Sequence, residues 1–225
     1  MISDSQALAS FLARCRVFVR EQLIPNEAKI NEEDAMPAAI VAGMRALGLF
    51  GLSIPREWGG LGLSMEEEVL AMFELGRASP AYRSYFAISQ GGGSRVILLD
   101  GTEAQRKAYL PKIASGEWMG TIAITEPEAG SDAASLQTTA TRVGDEYVLN
   151  GQKSYVANLT QARVLTVMAR TDPTSRGAKG VSALIVELPC AGASIVEQDK
   201  KLGMFGAHYG EVVFKDCRIP AANLV

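Results

Sequence analysis

Apolar residues in the first 116 positions recur at intervals of three and four, the spacing of an amphipathic helix. The first run extends from Leu8 to Leu23 and is predicted to stop at Pro25, because proline lacks the amide hydrogen that a helix interior requires. Pro37 is expected to open a second helix, which ends near Gly48. This half of the chain is therefore predicted to be helical.

Two further helix starts carry capping signals. Ser64 and Glu67 are spaced as a capping box, in which each side chain pairs with the other residue's backbone amide, and Thr102 and Gln105 repeat the spacing. The helix that follows Thr102 is expected to close between residues 111 and 116, where proline and glycine occur.

Three consecutive glycines at positions 91–93 interrupt a helix that Pro80 is expected to start. Each glycine costs a helix interior about 1 kcal/mol relative to alanine. The run therefore predicts a break in the helix, or a close approach by another backbone or a ligand.

After residue 117 the period of the pattern falls to two, which is typical of β-strands. Asn150-Gly151 is the strongest hairpin signal, because a type I′ turn needs positive φ at both central residues, and Gly144-Asp145 separates two other runs. Seven short strands favour a barrel or a sandwich. They are predicted at residues 118–124, 136–143, 146–149, 152–157, 164–170, 181–188 and 211–214.

The pattern as a whole predicts an α+β protein with two domains. Residues 1–116 are expected to form an all-helical domain, and residues 117–225 an antiparallel β-barrel domain. No alternation of strands and helices indicates a parallel sheet, and Gly60-Leu61-Gly62 lacks the third glycine and the preceding strand of a dinucleotide-binding fingerprint.

Composition narrows the classes of function. A net charge of -3 favours neither nucleic acid nor an anionic membrane as a partner, and no apolar run approaches the ~20 residues that cross a bilayer. The cysteines, at positions 15, 190 and 217, lie far apart without metal-ligand or redox-motif spacing. With no export signal at the N-terminus, they predict a cytoplasmic protein. His208 is the single histidine, so a zinc site of several histidines is excluded and no metal is predicted.

The segment 125–132, Thr-Glu-Pro-Glu-Ala-Gly-Ser-Asp, is the strongest candidate for chemistry. Proline and glycine favour a sharp turn after a strand, and Thr125 and Ser131 can offer hydroxyls and amides to a polar ligand. A well-capped surface turn would explain the same residues.

Several segments in order resemble the acyl-CoA dehydrogenase family. Residues 122–132 are similar to its first signature, and the resemblance extends from the first helix to Val225. The other matching segments are 49–52 with Pro55, 58–60 and Gly62; 101–117; 136–140; 147–158; 201–204; and 212–224.

The resemblance implies a helical domain, a middle β-barrel and a C-terminal helical bundle, with FAD between barrel and bundle. It implies a fatty-acid (β-oxidation) oxidoreductase that converts an acyl-CoA thioester to a trans-2-enoyl-CoA. In that reaction a carboxylate removes the α proton and the β hydrogen leaves as hydride to the flavin. Electrons would pass to an electron-transferring flavoprotein.

Carried over by resemblance, Thr125 and Ser131 give polar contacts to FAD, and Ser131 also lies near the acyl-CoA. The full predicted cofactor set is Ile122, Ile124, Thr125, Gly130, Ser131, Tyr155, Val156 and Ala157. An apolar, water-poor wall with fixed donors suits a reduced flavin.

Two of these residues depart from the family pattern. Tyr155 stands where tryptophan is usual, and would equally fit a buried core aromatic. Ala157 has no hydroxyl, so the family's side-chain hydrogen bond to flavin N5 is lost and only a backbone amide remains available. A non-catalytic acyl-thioester binding module is therefore an alternative.

The resemblance places the catalytic glutamate beyond Val225, so no catalytic residue is predicted within this chain, which alone is expected to be inactive. The sequence is interpreted as a fragment that lacks the C-terminal domain. The resemblance implies that the full-length protein is a homo-oligomer, usually a tetramer or a dimer. An acyl-CoA oxidase or a flavin monooxygenase on the same fold, or a carrier-protein thioester as substrate, also remains open.

Overall fold

The first half of the chain is helical in a computed structural model that describes residues 4–197 and 201–225. This confirms the helical prediction. The described residues include seven α-helices: α1 Ser5–Phe18, α2 Ile24–Glu33, α3 Ala38–Leu47, α4 Met65–Leu75, α5 Pro80–Ile88, α6 Arg95–Asp100 and α7 Glu103–Ala114. Within the described ranges, no helix combines the length and apolar content that a bilayer span needs.

The first helical run continues past Pro25, so the prediction that it stops there was wrong. A π turn, Val19–Leu23, joins α1 to α2, and in it the Ile24 amide donates to the Val19 carbonyl. Pro25 falls in the first turn of α2, where a missing amide hydrogen costs little. The run ends at Asp34, which adopts a left-handed φ of 46°.

Both predicted capping boxes form. The Ser64 amide donates to Glu67 Oε2 at 2.8 Å, while Ser64 Oγ accepts from the Glu67 amide at 3.3 Å. Thr102 and Gln105 repeat this arrangement at the start of α7, which runs through Pro111 to Ala114.

The second half of the chain forms one curled sheet. Its strands are β1 Met119–Ala123, β2 Thr139–Val143, β3 Glu146–Ala157, β4 Ala162–Arg170, β5 Val181–Glu187, β6 Ala193–Glu197 and β7 Tyr209–Pro220. The expectation of a purely antiparallel barrel was wrong, because β1 pairs with β4 in parallel and the sheet is a mixed half-barrel. Alternating hydrophobicity identifies strands but carries no information on partner direction.

The hairpin prediction at Asn150-Gly151 was also wrong, since β3 runs straight through both residues. The turn lies instead at Gly144-Asp145, which connects the paired residues Val143 and Glu146. Gly151 has φ of 146°, and a Cβ there would lie 2.7 Å from Thr138 Cα. The dipeptide thus lies at an irregularity in the pairing of β3 with β7, where the backbone of Thr138 comes close to Gly151.

The two halves meet at the glycine run, which confirms the predicted close approach of another backbone. The run lies in a π turn, Ser89–Gly93, against β1. A Cβ at Gly93 would lie 2.7 Å from Gly120 Cα, and the Gly120 amide donates to Ser89 Oγ at 3.0 Å. Glycine is therefore required where the helical half packs on the first strand.

Candidate functional site

Strand β1, with the segment that follows it, lies against the last residues of β3. The Ser154 amide donates to the Thr125 carbonyl at 2.8 Å. Thr121 Oγ1 donates to the Ala157 carbonyl at 2.7 Å. The two segments singled out in the sequence, the turn 125–131 and the strand through Tyr155, are thus neighbours in space.

A buried ion pair fixes the turn to the strand. Lys153 Nζ lies 2.7 Å from Glu126 Oε1 and donates to the Ile124 carbonyl at 3.0 Å. The Lys153 side chain is 0% exposed and that of Glu126 is 4% exposed. A charge this deeply buried requires a partner, so the two side chains hold each other in place.

The electrostatics of the pair follow from its burial. Burial alone would raise the pKa of the Glu126 carboxyl, but hydrogen bonds from the lysine and two backbone amides hold that pKa below its usual value. Burial lowers the pKa of Lys153, and the neighbouring carboxylate offsets only part of that shift.

Glu126 also closes the turn from the other side. Its carboxylate accepts from the amides of Gln137 and Thr138, and its backbone pairs with Ala129 in both directions, at 3.0 and 3.2 Å. The segment from Ile124 to Thr138 is therefore anchored at its start, its bend and its end.

Sequence reasoning missed Lys153 and Glu126 as the centre of this arrangement. Only a weak signal was present: a lysine falls within the predicted strand 152–157, and the burial along β3 does not alternate regularly. A lysine on the buried face of a strand indicates a buried acidic partner.

Tyr155 is displayed by a bulge in β3. Lys153 pairs with Val212 and Val156 with Gly210, so Ser154 and Tyr155 stand opposite Glu211 alone. Tyr155 takes φ of 57°, and it is 68% exposed. The alternative interpretation as a core aromatic was wrong. An aromatic residue in the left-handed region is strained, which is common where a side chain has a functional role.

The bulge is pinned by Glu211. Ser154 Oγ donates to Glu211 Oε1 at 3.1 Å, and Gln152 Nε2 donates to Glu211 Oε2 at 2.9 Å. These contacts hold the strand just before the bulge and within it, next to Tyr155.

The other predicted site residues differ in exposure. Thr125 is half-buried and Ser131 exposed, and no hydrogen bond among the described residues uses either hydroxyl. Ile122 and Ile124 are half-buried and Gly130 is exposed, whereas the Val156 side chain packs in the core of the sheet. Ala157 is buried.

The site therefore joins free hydroxyls, an exposed aromatic ring and half-buried aliphatic side chains, on a scaffold held by a buried ion pair. The relatives of this chain, by sequence and by structure, include acyl-CoA dehydrogenases. The family model for the acyl-CoA dehydrogenase N-terminal domain matches residues 5–117, and that for the middle domain matches residues 121–217. The chain belongs to the acyl-CoA dehydrogenase family.

Curated relatives include an acryloyl-CoA reductase (NADH) of Anaerotignum propionicum, 40% identical over 93% of this chain and 53% of the relative. An acyl-CoA dehydrogenase of Bacillus subtilis is 35% identical over 93% of this chain and 55% of the relative. The chain spans about half the length of the curated relatives it matches.

Solved structures with the same fold include the glutaryl-CoA dehydrogenase complex with glutaryl-CoA, with a TM-score of 0.92 and 33% identity over 100% of this chain and 57% of the other. A prolyl acyl carrier protein oxidase has a TM-score of 0.91 and 30% identity, over 100% of this chain and 59% of the other. A Mycobacterium smegmatis glutaryl-CoA dehydrogenase in complex with FADH2 has a TM-score of 0.89 and 28% identity, over 98% of this chain and 55% of the other.

Proposed function

We propose that the chain supplies the helical and β parts of an enzyme that dehydrogenates an acyl-CoA thioester to a trans-2-enoyl-CoA. The observation that carries this proposal is the meeting of the turn 125–131 with the strand end 154–157. Family membership and the glutaryl-CoA complex of a related fold support the substrate class.

We infer that this surface binds FAD, and its residues fit that cofactor. Thr125 and Ser131 carry hydroxyls that no described residue engages, Tyr155 offers an exposed ring, and a Cβ at Gly130 would meet open space. Such a surface suits a flat, partly polar ring system. When bound, FAD supplies an acceptor for the hydride that leaves the substrate.

The chain's own residues orient and shield that cofactor. The hydroxyls of Thr125 and Ser131 would donate to bound FAD, and Ser131 would also lie near the thioester. Ile122, Ile124 and the Tyr155 ring exclude water from the reacting region. Because Ala157 has no hydroxyl, a backbone amide of the strand end 155–157 takes the hydrogen-bonding role at its position.

The ion pair of Lys153 and Glu126 has a positioning role in this proposal. It fixes the turn before any ligand arrives, so binding does not have to order the segment. Neither residue is exposed enough to meet a substrate, so neither is assigned as the catalytic base.

The same proposal extends to the electron acceptor, the assembly and the location of the protein. We expect an electron-transferring flavoprotein as the electron acceptor, a homo-oligomeric assembly and a cytoplasmic location. An oxidase that acts on a carrier-protein thioester is a second candidate, and the prolyl acyl carrier protein oxidase of the same fold favours it.

Flavin content tests the cofactor. Protein expressed from its complete reading frame should be yellow and release FAD on denaturation, and an acyl-CoA substrate should bleach it without oxygen as a trans-2-enoyl-CoA forms. Absence of flavin, with no binding of added FAD, would leave only the non-catalytic binding module.

The rate of reoxidation separates the two enzymatic candidates. A dehydrogenase should be reoxidised rapidly by an electron-transferring flavoprotein and slowly by air, whereas an oxidase should show the reverse. Paired assays with a CoA thioester and a carrier-protein thioester of the same acyl group identify the carrier.

A further inference from the structure

Two cysteines that are far apart in the sequence lie together in the fold. Cys190 Sγ is 3.3 Å from Cys217 Sγ, although the residues are 27 positions apart. Their spacing in the sequence matches no redox motif, and the folding of the chain brings the two positions together. The third cysteine, Cys15, is buried in the helical half.

The backbone around the two thiols is closely packed. Cys190 lies between β5 and β6, and its carbonyl accepts from the Ala193 amide at 3.1 Å. The Lys215 amide donates to the Gly192 carbonyl at 2.8 Å, and a Cβ at Gly192 would lie 2.8 Å from Cys217 Cα. The turn that carries Cys190 is thus held against the strand that carries Cys217.

The two sulfurs differ in access to solvent. Cys217 is 0% exposed, whereas Cys190 is partly exposed. Burial, with the adjacent Cys190, raises the pKa of the Cys217 thiol to about 12. An oxidant from solvent would therefore meet Cys190 first, with Cys217 already in contact behind it.

We propose that Cys190 and Cys217 form a redox modification site, at which a hydroperoxide converts the dithiol to a disulfide. The Cys190 thiolate attacks the peroxide oxygen, giving a sulfenic acid and releasing an alcohol, or water from hydrogen peroxide. The Cys217 sulfur then displaces the sulfenic oxygen as water while losing its proton. Two thiols are oxidised and one peroxide is reduced.

The approach needed is small. A disulfide requires sulfurs about 2.05 Å apart, so the present 3.3 Å separation closes by rotation of side chains with little backbone movement. The bond would link the turn before β6 to β7, the strand that pairs with β3 and so supports the bulge at Tyr155. The site does not depend on flavin binding.

Mass spectrometry tests the modification directly. Purified reduced protein treated with one equivalent of hydrogen peroxide should lose about 2 Da, and a thiol reductant should restore it. Without reduction, trypsin should release the peptide 180–200 linked to the tripeptide 216–218, because Lys179, Lys200, Lys215 and Arg218 define those cleavage sites.

Matched variants assign the bond. Cys190→Ser should abolish the mass loss and the linked peptide, whereas Cys15→Ser should retain both. Recovery of Cys190 as sulfinic acid beside a free Cys217 thiol, or a link that involves Cys15, would overturn the proposal.

Thermal unfolding tests whether the fold presets the bond. The oxidised protein should melt several degrees above the reduced protein, about 5 °C or more, because the link restricts the unfolded chain. Cys15→Ser should show the same rise and Cys190→Ser none. A fall on oxidation would mean that the strands must distort to form the bond, and would contradict the preset geometry.

Discussion

Lys153 is the residue on which the arrangement of the candidate site depends most. Its ammonium group is fully buried and meets one carboxylate oxygen and one carbonyl. Removing one partner of a buried pair costs more than removing both, because an unpaired charge remains inside the protein.

Lys153→Met should therefore lower the free energy of unfolding by about 3–5 kcal/mol. The double variant Lys153→Met/Glu126→Gln should recover part of that loss, because the remaining amide is neutral and still accepts from backbone amides. Urea unfolding of the wild type, both single variants and the double variant measures the coupling.

Arg218→Met is the matched control, because Arg218 and Glu146 form an ion pair of 2.9 Å between exposed side chains. That change should cost less than about 1 kcal/mol. Equal losses of stability in Lys153→Met and Arg218→Met would contradict a special role for the buried pair.

The backbone of Tyr155 is in a strained conformation. It adopts a positive φ while 68% of the residue is exposed. Such a conformation costs a residue with a Cβ about 1–2 kcal/mol, and glycine escapes that cost.

Tyr155→Gly should therefore be more stable than Tyr155→Ala by about 1 kcal/mol, since both lose the ring and only glycine relieves the backbone. Under the proposed function, both variants should bind FAD more weakly than the wild type. Chemical denaturation and FAD titration of the same preparations measure the two effects. If alanine were as stable as glycine, Tyr155 would not be strained.

At the scale of elements, local signals were read correctly where a few neighbouring residues decide the outcome. The capping boxes at Ser64 and Thr102 formed as predicted, because their partners lie three residues away. Asn150-Gly151 failed because long-range pairing with β7 outweighs the local turn preference. The strand β6 was missed because its short segment between turns has no clear alternation.

The glycine run shows how one element accommodates another. Gly93 lies against the backbone of β1, while a Cβ at Gly91 would meet no atom within 4 Å. The two positions belong to the same π turn, so they form an internal comparison.

Gly93→Ala should lower the free energy of unfolding by about 2 kcal/mol or more, because the new methyl group overlaps the Gly120 backbone and packed atoms must shift. Gly91→Ala should be neutral or stabilising by up to about 1 kcal/mol, through the helix preference of alanine. Urea unfolding compares the two, and a similar loss in both would show that the turn, not the strand contact, sets the requirement.

At the scale of the whole molecule, the helical half and the sheet are joined by side chains that no local pattern reveals. Asn158 Nδ2 donates to the carbonyls of Ser84 and Tyr85, and Gln105 Nε2 donates to those of Ala222 and Leu224. The separations range from 73 to 119 positions. The candidate ion pair and the cysteine pair escaped prediction for the same reason, since contacts across folded strands leave no fixed spacing.

Gln105→Glu tests the hydrogen bonds that link α7 to the carbonyls of Ala222 and Leu224. The carboxylate keeps the acceptor of the capping box but replaces the donor to two carbonyls with an oxygen. Stability at pH 7 should fall by about 2–3 kcal/mol, and the amides of Leu224 and Val225 should exchange hydrogen faster.

The exposed Gln22 provides the control for that substitution. Gln22→Glu adds the same charge without losing a contact between the halves, so it should leave exchange at residues 224 and 225 unchanged. Protection in Gln105→Glu equal to that of the wild type would show that the link does not depend on this side chain.

The outer strand of the curled sheet affects how the protein aggregates at high concentration. Among the strands that the structure describes, β6 pairs with β7 alone, and it carries the exposed side chains Ile195 and Val196 with no lysine or proline between Ala193 and Glu197. A sheet rim that exposes apolar side chains is a site at which a strand of another molecule can pair. Aggregation of this protein should therefore begin at that rim, and a lysine in place of Ile195 should delay it.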